Sequence, residues 1–153
     1  MKIYNLKEKE EYLEEVCLLE HQEWGSIDKD IEDRNNKINK KIKLIKDNFK
    51  NKYFCKLILL DNDKLIGFIS LFPYDTDERK DLSPWYATIY VKEEYRGKGY
   101  SKILNNAILK EAKNRGFTKI YLKTELDNYY EKFGAIYLDK LSTDEKLYYI
   151  DIK

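Results

Sequence analysis

One histidine, two cysteines and two prolines in 153 residues leave this chain few of the side chains from which metal centres and nucleophilic triads are built. His21 alone cannot supply a histidine metal cluster, and nothing marks a nucleophile placed with it as in a Ser-His-Asp triad, so no metal is expected. Cys17 and Cys55 lack the paired spacing of a zinc or thioredoxin-like motif and read as reduced core thiols. Long hydrophobic runs are missing too. The longest nearly apolar stretch, Leu65 to Phe72, falls far short of a membrane span of ~20 residues, and the N-terminus carries no apolar signal core. A cytoplasmic protein without a membrane partner is the expectation. Charge of one sign is also absent: 29 Lys and Arg face 28 Asp and Glu, a net +1, so no global field draws nucleic acid and none is expected as a partner.

Tyrosine is abundant at 14 residues, so any single Tyr begins as packing or surface until its position says otherwise. The length fits one domain, 1–153, with a core of its own, and no composition break suggests a second. It would act as a monomer or homodimer.

Apolar spacing predicts a short strand at Lys2 to Tyr4 and a helix from about Lys7 to Gly25. A second helix follows through Ile27, Ile31, Ile38, Ile42, Ile45 and Phe49, with a break expected near Asn35-Asn36, whose side chains compete for the backbone. Phe54 to Leu60 and Leu65 to Leu71 flank Asp61-Asn62-Asp63-Lys64 and read as a β-hairpin. The charged stretch from Pro73 to Pro84 reads as a solvated loop. Strands follow at 85–91 and 119–124, joined by a helix of about 101–115 that Gly116 ends, which describes a right-handed parallel βαβ unit. A short helix near Tyr129 to Phe133 and strands near 135–138 and 147–152 complete a mixed α/β chain.

Between the strand at 85 and the helix at 101 stands Arg96-Gly97-Lys98-Gly99-Tyr100-Ser101. The first turn of a helix has amides without intrahelical acceptors and the positive end of the macrodipole, which an anion satisfies. Gly97 and Gly99 remove Cβ atoms that would hold a ligand off, while Arg96, Lys98 and Lys102 add charge. Taken alone, the turn is as consistent with an ordinary connection as with a phosphate cradle. A dinucleotide fingerprint fails because its third glycine would be Lys102, and a P-loop fails because Gly97-Lys98 continues into Gly99.

Strand, glycine turn, helix, strand and then Tyr130-Glu131-Lys132-Phe133-Gly134-Ala135 together resemble the GNAT superfamily of acetyl-CoA-dependent N-acetyltransferases, over Leu65 to Tyr137. In that family Arg/Gln-x-x-Gly-x-Gly/Ala cradles the coenzyme A pyrophosphate; Arg96 and Gly99 match, and Ser101 replaces the last small residue. The resemblance implies a central mixed, mostly antiparallel sheet with one splayed parallel pair, flanked by helices. It also implies acetyl-CoA between the strands at 85–91 and 119–124. The backbones of Ile89, Tyr90 or Val91 would then polarise the thioester, and the turn from Arg96 to Lys102 would hold the pyrophosphate. Tyr130, four residues before Gly134, maps onto the family's tyrosine beside the departing sulfur, with Tyr129 the alternative if the register slips. A phenol of pKa ~10 protonates a thiolate of ~8.5 uphill by about 2 kcal/mol, so hydrogen bonding to the sulfur is the safer role.

The activity implied is acetyl transfer to a primary amine of a small molecule, peptide or protein. Neutralising a lysine-like amine of pKa ~10.4 at pH 7 costs roughly 4.6 kcal/mol, against about 1.4 kcal/mol for an α-amine near ~8. A general base therefore matters more for the first class. Glu20, His21, Glu23, Asp81, Glu125 and Asp127 are candidates, each also readable as a surface charge. The alternative is a non-catalytic acyl-CoA-binding module. An aminoacyl-tRNA-dependent transferase is disfavoured by the neutral charge.

Overall fold

A computed structural model describes residues 1–153. In chain order it comprises β1 (Lys2–Asn5), α1 (Leu13–Trp24), α2 (Ile31–Asp47), β2 (Cys55–Asp61), β3 (Lys64–Phe72) and β4 (Trp85–Val91). Then come α3 (Tyr100–Asn114), β5 (Lys119–Thr124), β6 (Ala135–Lys140) and β7 (Lys146–Asp151). One seven-stranded sheet runs β1-β2-β3-β4-β5-β7-β6. Every pairing is antiparallel except β4 with β5.

β2 and β3 are buried on both faces, which is why they read as continuous apolar runs rather than alternating ones. Asn62 and Asp63 both take positive φ, 48° and 69°, the backbone a two-residue hairpin turn requires. Alternation assigns Leu57 and Leu59 to the face covered by α3, with Leu104, Ile108 and Ala112. Ile58 and Leu60 face the opposite way, toward Val16 and Cys17 of α1 and Ile38 and Ile45 of α2. Both cysteines are free and buried, and burial pushes Cys17 to about 11 and Cys55 to about 12.

Three expectations need correction. The first helix does not start near Lys7: two single 3-10 turns, Leu6–Glu8 and Glu10–Tyr12, precede α1. Ile27 fits the spacing of the second helix but lies before it, 96% exposed, because α2 begins only where Asp30 caps it by accepting from the Asp33 N–H at 2.8 Å; Ile31, the first residue of α2, is 72% exposed. No break occurs at Asn35-Asn36. Both are exposed, so their side chains reach water, and the buried Ile38 and Ile45 stripe with the Lys37–Asp33 pair at 3.1 Å holds the helix through them.

Two irregularities shape the centre of the sheet. β4 and β5 share a single registered pair, Trp85 with Tyr121, and part beyond it. Between β3 and β4 the register runs Phe68 with Tyr90 and Ser70 with Ala87, so Thr88 and Ile89 oppose Ile69 alone. That is a β-bulge, and Thr88 carries φ +47°.

Candidate active site

Two hollows share Ile89, one at the end of β4 and the other in the gap where β4 and β5 part. The first, of about 300 Å³, lies between the end of β4 and the start of α3 and is lined by Ile89, Val91, Arg96, Gly97, Gly99 and Ser101, with Tyr129 across from them. Gly97 and Gly99 sit at φ +78° and +82°, where L side chains are strained, and a Cβ on either would meet nothing within 4 Å. Their α-carbons thus face open space at the entrance to α3. Gly99 is the N-cap of α3, no side chain caps that end, and the first turn carries no acid. These features fit a pyrophosphate, which satisfies the free amides and fills the space the missing Cβ atoms leave.

Sequence-predicted cradle residues divide between the hollow and its surroundings. Arg96 Nε donates to the Val91 carbonyl at 2.8 Å and its guanidinium lies over the Tyr90 ring at 5.5 Å, which closes the turn back onto β4. Tyr90 itself stacks on Phe68 at 5.3 Å, on the α1 and α2 face of the sheet. Lys98 and Lys102 are exposed and line neither hollow. Tyr100 lines the first.

The second hollow, of about 450 Å³, is lined by Trp24, Asp75, Tyr86, Thr88, Tyr130 and Glu145, among others. The adjacent tyrosines therefore point into different hollows, Tyr129 toward the glycine turn and Tyr130 toward the split between the strands. Tyr130 meets Tyr86 edge to face at 5.8 Å and Tyr129 at 4.9 Å. Burial first, and Tyr129 second, push its phenol above the ordinary tyrosine value.

None of the carboxylates singled out from sequence lines either hollow, and neither does His21. His21 pairs with Asp28 at 2.8 Å, Asp81 with Arg79 at 3.1 Å, and Asp127 with Lys146, while Glu23 and Glu125 are exposed. Glu20 is no surface charge. It is 2% exposed and paired with the equally buried Lys56; burial pushes its carboxyl up, but Lys56 and Lys41 together hold it below its ordinary value.

The carboxylate that does reach the split is Asp75, which the sequence presents as one more charge in a solvated loop. Burial pushes it up to about 6, Lys123 draws it down and Glu145 raises it again; no hydrogen bond or ion pair of its own holds it. Glu145 is engaged with Lys123 at 3.6 Å and accepts from the Thr143 hydroxyl at 2.9 Å. No motif marks Asp75. Thr88 and its buried partners were also unmarked, although a lysine inside the apolar run Phe54 to Leu60 was the one available signal. A β-branched residue in the left-handed region costs on the order of 1–3 kcal/mol and persists only where its surroundings enforce it.

A parallel pair splayed beside a glycine turn at a helix entrance, with a tyrosine and a free carboxylate near the split, defines a mixed α/β fold with room for an anionic ligand at the edge of its central strands. The acetyltransferase (GNAT) family model matches residues 11–135. The chain is 37% identical over 82 residues to N-alpha-acetyltransferase 30 of Schizosaccharomyces pombe, a match covering 50% of this chain. It spans about half, 54%, of the length of that curated relative. Among solved structures, an N-acetyltransferase from Staphylococcus aureus Mu50 superposes with a TM-score of 0.74 at 18% identity, covering 99% of this chain and 98% of that one. An aminoglycoside 6'-N-acetyltransferase complexed with coenzyme A gives 0.73 at 18% identity, over 100% and 98%. The spermidine N-acetyltransferase of Vibrio cholerae gives 0.71 at 19%, over 99% and 93%. The chain belongs to the acetyltransferase (GNAT) family, whose acetyl donor is acetyl-CoA. No helix is long and apolar enough to cross a membrane.

Proposed function

We propose that residues 1–153 form one acetyl-CoA-dependent N-acetyltransferase domain whose acceptor is a primary amine. The observation that carries this reading is that two neighbouring hollows share Ile89 in their lining, with the glycine turn in one and a free carboxylate and a tyrosine in the other. Gly97, Gly99 and Ser101 with the start of α3 hold the pyrophosphate, and Arg96 fixes the turn rather than contacting the anion first. Ile89 lines both hollows, so a thioester reaching from one toward the other would pass its backbone, whose N–H would suit developing oxyanion charge. Tyr130 supplies a hydrogen bond to the sulfur. Its raised pKa makes full proton donation still less favourable and leaves it a neutral donor.

Asp75 receives the amine. Transfer from an α-ammonium of pKa ~8 to a carboxyl at about 6 is uphill by roughly 2.7 kcal/mol and from a lysine-like ammonium of ~10.4 by roughly 6 kcal/mol; the gap comes from the amines and holds for any base, so the α-amine is the less demanding substrate for this carboxylate. The likeness to an N-alpha-acetyltransferase supports the same choice. The acceptor is accordingly the α-amine of a peptide or protein. Thiol release from acetyl-CoA, measured with peptide N-termini against polyamines, aminoglycosides and free lysine, tests it. Peptide N-termini should give the highest kcat/KM. Tight coenzyme A binding without turnover on any amine would instead make the chain a binding module.

A further inference from the structure

Thr88 is the residue that makes the bulge in β4, and its left-handed backbone is held by a buried hydrogen-bond chain. Thr88 Oγ1 donates to Ser70 Oγ at 2.5 Å. Ser70 Oγ also accepts from Lys56 Nζ at 2.6 Å. Lys56 donates in addition to Glu20 Oε1, and Lys41 Nζ lies 3.0 Å from the other oxygen of Glu20. Ser70 is 0% exposed, and Lys56 and Glu20 are 2% each. The chain thus begins at half-exposed Lys41 on α2 and crosses α1, β2 and β3 to end on the strained residue of β4.

Stability does not account for this lysine. It lies against the rings of Phe68 and Phe72, at 5.7 and 5.0 Å from their centres, on a sheet face otherwise packed with aliphatic and aromatic side chains. Apolar residues of similar size in place of both Lys56 and Glu20 would be as stable or more so, since a buried ion pair rarely recovers its desolvation. What the lysine supplies that an apolar residue cannot is a fixed donor for Ser70, which leaves the serine oxygen oriented toward Thr88. The bond to Ser70 is the side-chain hydrogen bond that holds Thr88, a β-branched residue at φ +47°. The bulge is also what carries Ile89 to the point where the two hollows meet.

We propose that Lys56 and Ser70 are positioning residues for acetyl transfer: their hydrogen bonds lock Thr88 in the left-handed conformation that sets the β4 bulge and, with it, the Ile89 backbone. The proposal rests on the acetyltransferase reading for its kinetic consequence but not for its conformational one. It makes glycine at position 88 a rescuer. Glycine adopts positive φ without any anchor, so a protein that has lost Ser70 should recover its geometry when Thr88 is also removed.

The test compares Ser70→Ala, Thr88→Gly, the double variant, and Lys56→Met paired with Glu20→Leu so that no charge is stranded. Ser70→Ala should lower kcat by about tenfold or more, as small misplacements at a reacting centre do. Coenzyme A affinity by calorimetry should stay within about twofold, because the glycine turn binds the pyrophosphate at helix-terminal amides outside the chain. Thr88→Gly alone sets the reference kcat of a site without the threonine side chain, and Ser70→Ala with Thr88→Gly should return to that reference although its Tm remains low, Lys56 still lacking its Ser70 acceptor. Lys56→Met with Glu20→Leu should keep its Tm and lose kcat as Ser70→Ala does. In the ligand-free protein, the Thr88 Cα chemical shift should leave the left-handed range in Ser70→Ala. An unchanged kcat in Ser70→Ala, or a double variant no faster than Ser70→Ala, overturns the proposal; the latter would assign the Thr88 hydroxyl a direct part in proton transfer. Should the wild-type protein turn over no amine, the acetyltransferase reading fails, and the Thr88 shift still decides the anchor on its own.

Discussion

Asp75 sets two opposing effects in one side chain. Its folded pKa of about 6 lies above the ordinary carboxylate value because burial disfavours its charge. Folding therefore takes up a proton between the unfolded and folded values, and the stabilisation this gives is complete below pH ~4 and lost as pH rises through about 6. The general-base role proposed for Asp75 needs the opposite state, the free carboxylate. We predict that kcat/KM rises with pH through a limb near 6 and that Asp75→Asn removes the limb, lowering kcat/KM at pH 7 by about 100-fold, the low end for loss of a general base. Urea unfolding of the same variant at pH 7 should show it more stable than wild type, by on the order of 1–2 kcal/mol. A variant that loses both stability and activity would make Asp75 structural. For Tyr130→Phe the expectation is a fall in kcat of about tenfold with unchanged coenzyme A affinity, since a hydrogen bond to the charged sulfur is worth about 1.5–3 kcal/mol. Equal kcat in steady-state thiol release would refute the role.

Among the elements, α3 and its entrance were the most legible and α2 the least, for one physical reason. A glycine turn between a β-branched run and a 3.6-residue repeat constrains backbone locally, so Gly97, Gly99 and the helix boundary at Tyr100–Asn114 could be read within a residue or two. Ile27 and Ile31 continue the same repeat as Ile38 and Ile45, and only the Asp30 cap and the packing of α1 on α2 decide that they stay outside. Periodicity does not encode a cap partner in three dimensions. The residues of the proposed cradle likewise separate by backbone and side chain: Gly99 offers open space at positive φ, while Lys98 and Lys102 are exposed charges outside both hollows. Gly99→Val should therefore weaken coenzyme A binding by about tenfold or more, through a branched side chain at φ +82° facing the pyrophosphate. Lys98→Ala and Lys102→Ala should each change it by less than about fivefold, and by less still at high salt. Calorimetry on folded variants decides both; equal affinity in Gly99→Val would count against the turn as a phosphate cradle.

At the scale of the whole molecule, the sheet consists of β1 to β4 and of β5, β7 and β6, with a single registered pair across the seam. The sequence disclosed the parallel βαβ unit that makes this seam, but not what lies in it. Asp75, Glu145 and Thr88 come from separate loops and a bulge, brought together by strand order alone, and no local pattern records a juxtaposition of that kind. The seam also has an energetic consequence. Elsewhere neighbouring strands share four or more registered pairs, so opening between β4 and β5 breaks the fewest backbone hydrogen bonds of any separation in the sheet. A ligand spanning the glycine turn, Ile89 and Tyr130 would tie the two parts together where the backbone does not. Coenzyme A at about 100 times its Kd adds roughly 2.7 kcal/mol to the folded state. For a chain of this size that raises Tm by on the order of 5–10 °C. Stabilisation of that origin should be unevenly distributed: amides of β5 and β7 should exchange more slowly with coenzyme A bound, while those of β1 and β2, already paired on the far side of β3, should change little. Protection spread evenly over all seven strands would show instead that the seam is held by the cores on its two faces, and that the ligand adds affinity without adding a bridge.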